Sequence, residues 1–391
     1  MITESKQYIF HLLLLTLLLP TLVVASPVRF GGPDAVPNQL QKDEKSWGEF
    51  KESLAEEGLR FTVDYSAVGL NASDSLPGAD DNAGGGMVRF YGQWNATEKG
   101  SLIWKVEHRH DYTDTEPKGF LFGTGTLGLA VPPFSDEKER LTNLYWKHNF
   151  NGGRTVLITG FLDATDYLDV YMLASPWTGF MNFAFSAGTT TIALPGDATL
   201  GIAAGSMIND QLFMIGGITD MNSDPTDPLE GFDNFLNDNK YFKSVEFGWT
   251  PNKDKIYTDN IHMTLWRADE SDIQGTDDGH GLTISASRLI GQWLPFLRGG
   301  YSEDAGTLNE KSISVGTGYL GFGSEGSNLG VAINWAEIDG NDDQYTTELF
   351  YLIKVLPSLE IAPDIQWIHN PALNMDEDNL YVFGLRMRAA I

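Results

Sequence analysis

The sequence predicts an all-β fold: a transmembrane antiparallel β-barrel of about sixteen strands, preceded by a short N-terminal periplasmic helix. Three observations point to it. In residues 381–391, YVFGLRMRAAI, Tyr381, Phe383, Leu385, Met387, Ala389 and Ile391 share one parity, while Arg386 and Arg388 share the other. A strand with lipid on one side and water on the other must alternate in this sense. Segments of the same kind recur from Leu59 onward, and the connections between them alternate between short and long. Bacterial barrels sort their connections this way, with short periplasmic turns and longer external loops.

The chain opens with Lys6, a leucine-dominated run over 9–24 containing Pro20, and the small-residue sequence Val23-Val24-Ala25. This pattern predicts a signal peptide over 1–25, cut after Ala25. A membrane anchor is disfavoured because the apolar run is short and has no positive flank after it. Residues 26–58 form an N-terminal periplasmic segment, in which Trp47, Phe50 and Leu54 recur at helical spacing. The barrel is expected over 59–391.

The period becomes two at Phe61, Val63 and Tyr65, which alternate with Thr62, Asp64 and Ser66. Further strand-like segments lie near 85–94, 101–111, 141–150, 154–163, 197–207, 211–219 and 241–250. Eight more lie near 260–268, 281–289, 293–302, 310–320, 329–337, 345–355, 358–368 and 379–391. Short links such as Asn151-Gly152-Gly153 and Pro357-Ser358 contrast with long ones around 112–140, 164–196 and 220–240. An even strand number makes the first connection external, and the order of lengths agrees. A soluble sandwich would carry a polar outer face. Here one parity bears Trp104, Trp146, Phe247, Trp249, Trp335, Tyr351, Trp367 and Phe383, which suits interfacial girdles. About sixteen strands leave an aqueous channel, so transport is the expected function.

The absence of cysteine excludes disulfides and thiolate metal sites. A formal net charge of −27 disfavours nucleic acid as a partner. Acids cluster in loops, at Asp220, Asp224 and Asp227, at Asp277 and Asp278, and at Asp342 and Asp343. Solvated loop tips account for most of them; divalent-cation bridging to lipopolysaccharide is a further role open to them. Gly321-Phe322-Gly323-Ser324-Glu325-Gly326 fits a nucleotide-loop pattern, but its flanking strands make it a turn. No metal site is expected: His108 and His110 share a face without an evident third ligand.

A basic side chain on the lipid face costs about 2–4 kcal/mol at mid-membrane, so charge tests each parity assignment. Lys105, Glu107 and Arg109 fall inward opposite Leu102, Trp104 and Val106. Arg89, Glu246, Arg298, Glu348, Lys354, Asp364, Gln366, Arg386 and Arg388 also take the inward parity. Lys243, Arg267 and His108 take the lipid parity, each near a strand end. Opposed cations and carboxylates hydrogen-bond to many hydroxyls, and an aromatic ring offers a face to the C–H side of a sugar. Trp266, inward beside His262, suits that role, as does Trp177 with Phe180, Phe183 and Phe185 if the 164–196 connection folds into the mouth. The alternative is that these loop aromatics pack on one another.

The strings VEHRHDYTDTEP (106–117), LTNLYW (141–146), TDYLDVYMLASPWTGFMNFAF (165–185), VEFGW (245–249), PFLRGGYSED (295–304) and TELFYLIKVLPSLEIAPDIQWIHNPALNMDEDNLYVFGLRMR (347–388) resemble the carbohydrate-selective porins of the OprB type. The resemblance implies a sixteen-stranded outer-membrane porin of a Gram-negative bacterium, with a periplasmic N-terminal helix. It passes monosaccharides such as glucose through an eyelet of arginines, acids and aromatics. By matched motif, Glu107 and Arg109 within VEHRH and Arg298 within PFLR belong to that eyelet. The expected partners are the sugar, the bilayer and lipopolysaccharide; no cofactor and no catalytic role are expected, and trimer and monomer both stay open. A non-selective diffusion porin is the alternative, and a barrel-anchored enzyme a more distant one. Two departures stand out: Phe161 takes an inward parity where related sequences carry a basic group, and the chain ends in Ile391 instead of an aromatic residue.

Overall fold

The computed structural model describes residues 45–129, 134–338 and 340–391. The expected signal peptide over 1–25 lies outside the described residues. Helix α1 (Lys45–Glu56) comes first, matching the helical spacing of its apolar residues. It ends at Gly58, whose φ of +86° turns the chain into the first strand and whose N–H reaches the Ala55 carbonyl at 3.1 Å.

Among the described residues sixteen strands follow. They are β1 (Leu59–Ala72), β2 (Asn82–Trp94), β3 (Gly100–Asp111), β4 (Lys138–Phe150), β5 (Thr155–Leu162), β6 (Thr199–Met207), β7 (Leu212–Asp220) and β8 (Tyr241–Trp249). The second half holds β9 (Asn260–Ala268), β10 (Gly279–Ser287), β11 (Trp293–Asp304), β12 (Lys311–Leu320), β13 (Asn328–Glu337), β14 (Gln344–Leu356), β15 (Leu359–His369) and β16 (Asn379–Ala390). Each strand pairs with its sequence neighbours, and β16 pairs antiparallel with β1, from Asp64 opposite Ala390 to Ala72 opposite Val382. The sheet is closed, so it has no free edge. The last residue extends the seam: Ile391 N–H donates to the Val63 carbonyl at 2.9 Å.

The two faces of the wall differ as the alternation requires. Along β9, Asn260, His262, Thr264, Trp266 and Ala268 are buried, while Ile261, Met263 and Leu265 are exposed. The exposed apolar row faces lipid. The cations with lipid parity sit near strand ends and carry acidic partners: Lys243 lies 2.9 Å from Asp269, and Arg267 lies 3.3 Å from Asp278. Gly321, Gly323 and Gly326 form the turn between β12 and β13, as their flanking strands required. The contrast in connection length is strong in the first half of the chain. In the second it fades, since the external link 305–310 is no longer than the periplasmic link 321–327.

Two places depart from the parity read in the sequence. Opposite Lys105 and Val106 the partner residues are Asn143 and Leu141, so Thr142 is a bulge. A bulge inverts the alternation beyond it, and Arg140 consequently turns inward and is buried. Phe161 corrects the sequence-based expectation. It pairs with lipid-facing Leu144 and therefore faces outward, where its ring meets Phe232 edge-on at 5.6 Å. The register of β5 with β4 and β6 is unbroken, so Leu157, Thr159 and Phe161 share the outer face while Val156 and Ile158 face inward.

On the inner wall near the seam, Asp64 accepts from Arg89 Nε at 2.8 Å and from Arg388 Nε at 2.9 Å. Removing the shared carboxylate breaks two buried ion pairs at once, at a cost of about 3–5 kcal/mol. Asp64→Ala should therefore lower the temperature at which the folded band in a detergent gel converts to the unfolded band. An unchanged conversion temperature would show that the seam does not depend on this carboxylate.

Candidate functional site in the barrel lumen

The connection between β5 and β6, residues 163–198, runs inside the barrel. Its phenylalanines pack on one another and on the barrel wall, the second of the two roles open to them from sequence. Phe180 packs on Phe185 at 5.0 Å within the loop, and on Phe296 of β11 and Phe350 of β14 at 5.8 and 4.9 Å. A second apolar cluster seats Tyr167, Leu168 and Ile192 on Val156, Ile158, Ala203, Phe213 and Ile215 of β5–β7. The loop therefore lines much of the inner wall, and a wide channel becomes a narrow one. At Gly300 of β11, Thr191 occupies the space a Cβ would need, and at Gly384 of β16 the Met181 methyl lies 2.6 Å from that position. Only glycine allows such close approach.

An irregular segment has no ladder for its peptide groups, and buried peptide groups must be paired. Here the inward side chains of the wall supply the pairs. Arg298 uses all five N–H groups: Nε donates to Ser285 Oγ at 3.2 Å, and Nη1 to the carbonyls of Phe185 and Ser186 at 3.2 and 2.5 Å. Its Nη2 donates to the Asp169 carbonyl at 3.1 Å and to the Asp169 carboxylate. The Tyr171 ring covers the guanidinium at 4.3 Å. Glu246 accepts from Asp169 N–H and Thr264 Oγ1, both at 2.8 Å, and His262 Nε2 lies 2.8 Å from Asp169 Oδ1. Burial alone would raise the Asp169 carboxyl, but the cationic Arg298 and the His262 ring hold it below the usual carboxylate range.

Across the lumen, Glu348 accepts from Met181 N–H at 2.6 Å and Asn182 N–H at 2.9 Å. Asn182 Nδ2 donates to Gln366 Oε1 at 2.8 Å. Arg386 donates to the carbonyls of Pro176 and, at 2.8 Å, Gly179. Residues 112–129 and 134–137 add further inward contacts, with Phe134 edge-on to Trp177 at 5.5 Å and Gly128 accepting from Phe183 N–H at 2.8 Å.

The charged groups expected from sequence thus divide into sets. Arg298, Glu246 and Arg386 hold the loop. Trp266 is inward but only 4% exposed, stacked on Phe242 at 6.3 Å. Arg89 and Arg388 share Asp64, and Trp177 covers the Arg89 guanidinium at 3.8 Å. Lys105, Glu107 and Arg109 form a third group where β3 and β4 face both ends of the loop. Lys105 Nζ lies 3.7 Å from Asp163 and 3.9 Å from Asp166. Arg109 Nε reaches Glu107 at 2.8 Å and Nη2 reaches Asp197 at 2.9 Å, while Arg140 Nη2 reaches Asp197 at 2.8 Å and Nη1 reaches Glu137. Here some exposure survives: the Glu137 side chain is 36% exposed and that of Asp197 is 23%. Arg109 and Arg140 outweigh burial and hold the Asp197 carboxyl low, whereas burial and nearby Asp197 push the Asp163 carboxyl up. Sequence parity did not reach Arg140, hidden by the bulge, nor the loop acids, which have no period.

A closed sixteen-stranded barrel with a lipid-facing apolar exterior and a polar lumen narrowed by an inserted loop defines a porin of the outer membrane. The family of carbohydrate-selective porins, OprB type, matches over residues 115–302 and 282–390, and the chain belongs to that family. It is a sugar-preferring channel. Among solved structures, Pseudomonas putida OprB at high pH aligns with a TM-score of 0.70 at 14% identity, covering 88% of this chain and 97% of that one. The low-pH structure aligns at 0.54 and 13% identity, covering 90% and 98%. A Rhodopseudomonas blastica porin triple mutant gives 0.52 at 9% identity, covering 85% and 100%. At these identities the likeness is one of fold. No curated protein matches in sequence.

Asp169→Ala strands buried Arg298 and should weaken loop docking by about 3–5 kcal/mol, read as larger, noisier single-channel conductance. An unaltered trace would remove Asp169 from the anchor. Because the folded carboxyl lies below its unfolded value of about 3.9, its pairing is complete above that pH and is lost as pH falls through the lower folded value. Conductance should be steady from about pH 5 upward and rise only below about pH 4; a rise already at pH 6 would contradict the assignment.

Proposed function

We propose that the solute preferred by this channel is a monosaccharide with a glucose-like ring, and that it is selected where β3 and β4 meet the two inward segments. The observation that carries this reading is the interleaving of signs there: Lys105, Arg109 and Arg140 alternate in space with Glu107, Glu137, Asp163, Asp166 and Asp197. Paired charges cancel one another as a field for ions, yet they keep strong donors and acceptors side by side. A ring with a hydroxyl on nearly every carbon can bridge such groups in several places. Each net hydrogen bond contributes about 1 kcal/mol, weak enough for the solute to leave as readily as it enters. Trp177, over Arg89, adds an aromatic edge to the same passage. In this scheme Arg298, Glu246 and Arg386 position the loop, while Arg89 and Arg388, joined on Asp64, back the Trp177 ring.

Channels in planar bilayers should conduct, and glucose should partly block them in a concentration-dependent way. Arg109→Ala and Glu107→Ala should each reduce the apparent affinity for glucose about fivefold or more, as expected for the loss of about 1 kcal/mol, with folding yield little changed. Sugar block identical in mutants and parent would remove both residues from the eyelet. Indifference of the parent channel to every sugar tested would leave a general diffusion pore.

A further inference from the structure

The connection between β7 and β8 folds outward, over the lipid face of the barrel. Its helical part runs without interruption through Pro228–Glu230, Gly231–Asp233 and Asn234–Asp238. It lies on the outer wall where β5 ends and β6 begins. The Phe232 ring meets Phe161 edge-on at 5.6 Å, and the position of a Cβ on Gly231 lies 3.5 Å from Leu200. Phe161 and Leu200 are paired with each other, and Phe161 is paired with lipid-facing Leu144, so the surface beneath the segment belongs to the lipid face. Midway along it, Asn234 Nδ2 donates to the Asn222 carbonyl at 2.7 Å.

At helical spacing, Leu229, Phe232 and Leu236 form one stripe, and Glu230, Asp233 and Asn237 form the adjoining one. The apolar stripe is uncovered: Leu229 and Leu236 are each 69% exposed and Phe232 is 49% exposed. It adjoins the exposed lipid-facing Leu144, which pairs with Phe161, and Ile202, two residues along β6 from Leu200 on the same face. A segment with one apolar and one charged stripe, lying parallel to a membrane surface, is the usual form of an interfacial helix.

We infer that residues 228–238 are an interfacial anchor, with Leu229, Phe232 and Leu236 seated among the acyl chains of the outer-leaflet lipid and the acidic stripe turned to water. Continuity with the lipid-facing wall identifies the occupant. A second copy docked symmetrically through this face would bring Asp227, Glu230, Asp233 and Asp238 against their own counterparts, which repel. The inference does not depend on which solute passes through the pore.

The chain has no cysteine, so single labels are clean. Leu229→Cys, Leu236→Cys, Asp233→Cys and, as the lipid-facing reference, Ile202→Cys carry a nitroxide in the full chain, folded into vesicles of phospholipid and lipopolysaccharide. Collision rates are measured with oxygen, which partitions into lipid, and with a water-soluble nickel chelate. Labels at 229 and 236 should favour oxygen as the label at 202 does, and the label at 233 should favour the chelate. Chelate dominance at 229 and 236 would overturn the inference in favour of a solvated loop. Shielding of those labels from both reagents would overturn it in favour of a protein-covered face.

Discussion

A chain segment that leaves the sheet and enters the lumen takes its peptide groups away from any ladder, and the structure depends on how those groups are satisfied. Arg298 and Asp169 are the centre of the solution. One guanidinium gathers three loop carbonyls and a loop carboxylate, and that carboxylate in turn engages His262 and the Gly188 N–H at 2.5 Å. Glu348 and Arg386 repeat the device on the far side with two N–H groups and two carbonyls. Side chains that alternation places inward to keep the lumen wet are thus also the frame on which the constriction is hung.

The wall was almost fully legible in the sequence, because its physics is local and periodic. Lipid on one side and water or polar loop on the other impose a period of two on every strand, and connection lengths report which rim is external. Legibility failed in two ways. The bulge at Thr142 inverted the parity of Arg140, and along β5 both faces are apolar, with Val156 and Ile158 inward and Phe161 outward in unbroken register, so polarity could not mark which face was which.

The lumen was legible only in part. The inward charges of the strands could be named in advance, but not divided into those that hold the loop and those that line the passage. That division depends on where residues 163–198, 112–129 and 134–137 lie, and such segments have no period from which their path could be read. The apolar inner wall of β5–β7 belongs to the same problem. Val156, Ile158, Phe213 and Ile215 face inward yet are dry, because Tyr167, Leu168 and Ile192 of the loop cover them. Trp266 looked like a ring exposed to the passage for the same reason.

Leu162 and Thr199, where the constriction loop departs and returns, are a paired couple on adjacent strands. The whole insert is therefore suspended from a single point of the rim, and its shape is set by discrete contacts scattered around the cylinder. Aperture and container are for that reason mechanically separate: the contacts that set the opening are side-chain contacts, and none of them is a rung of the sheet.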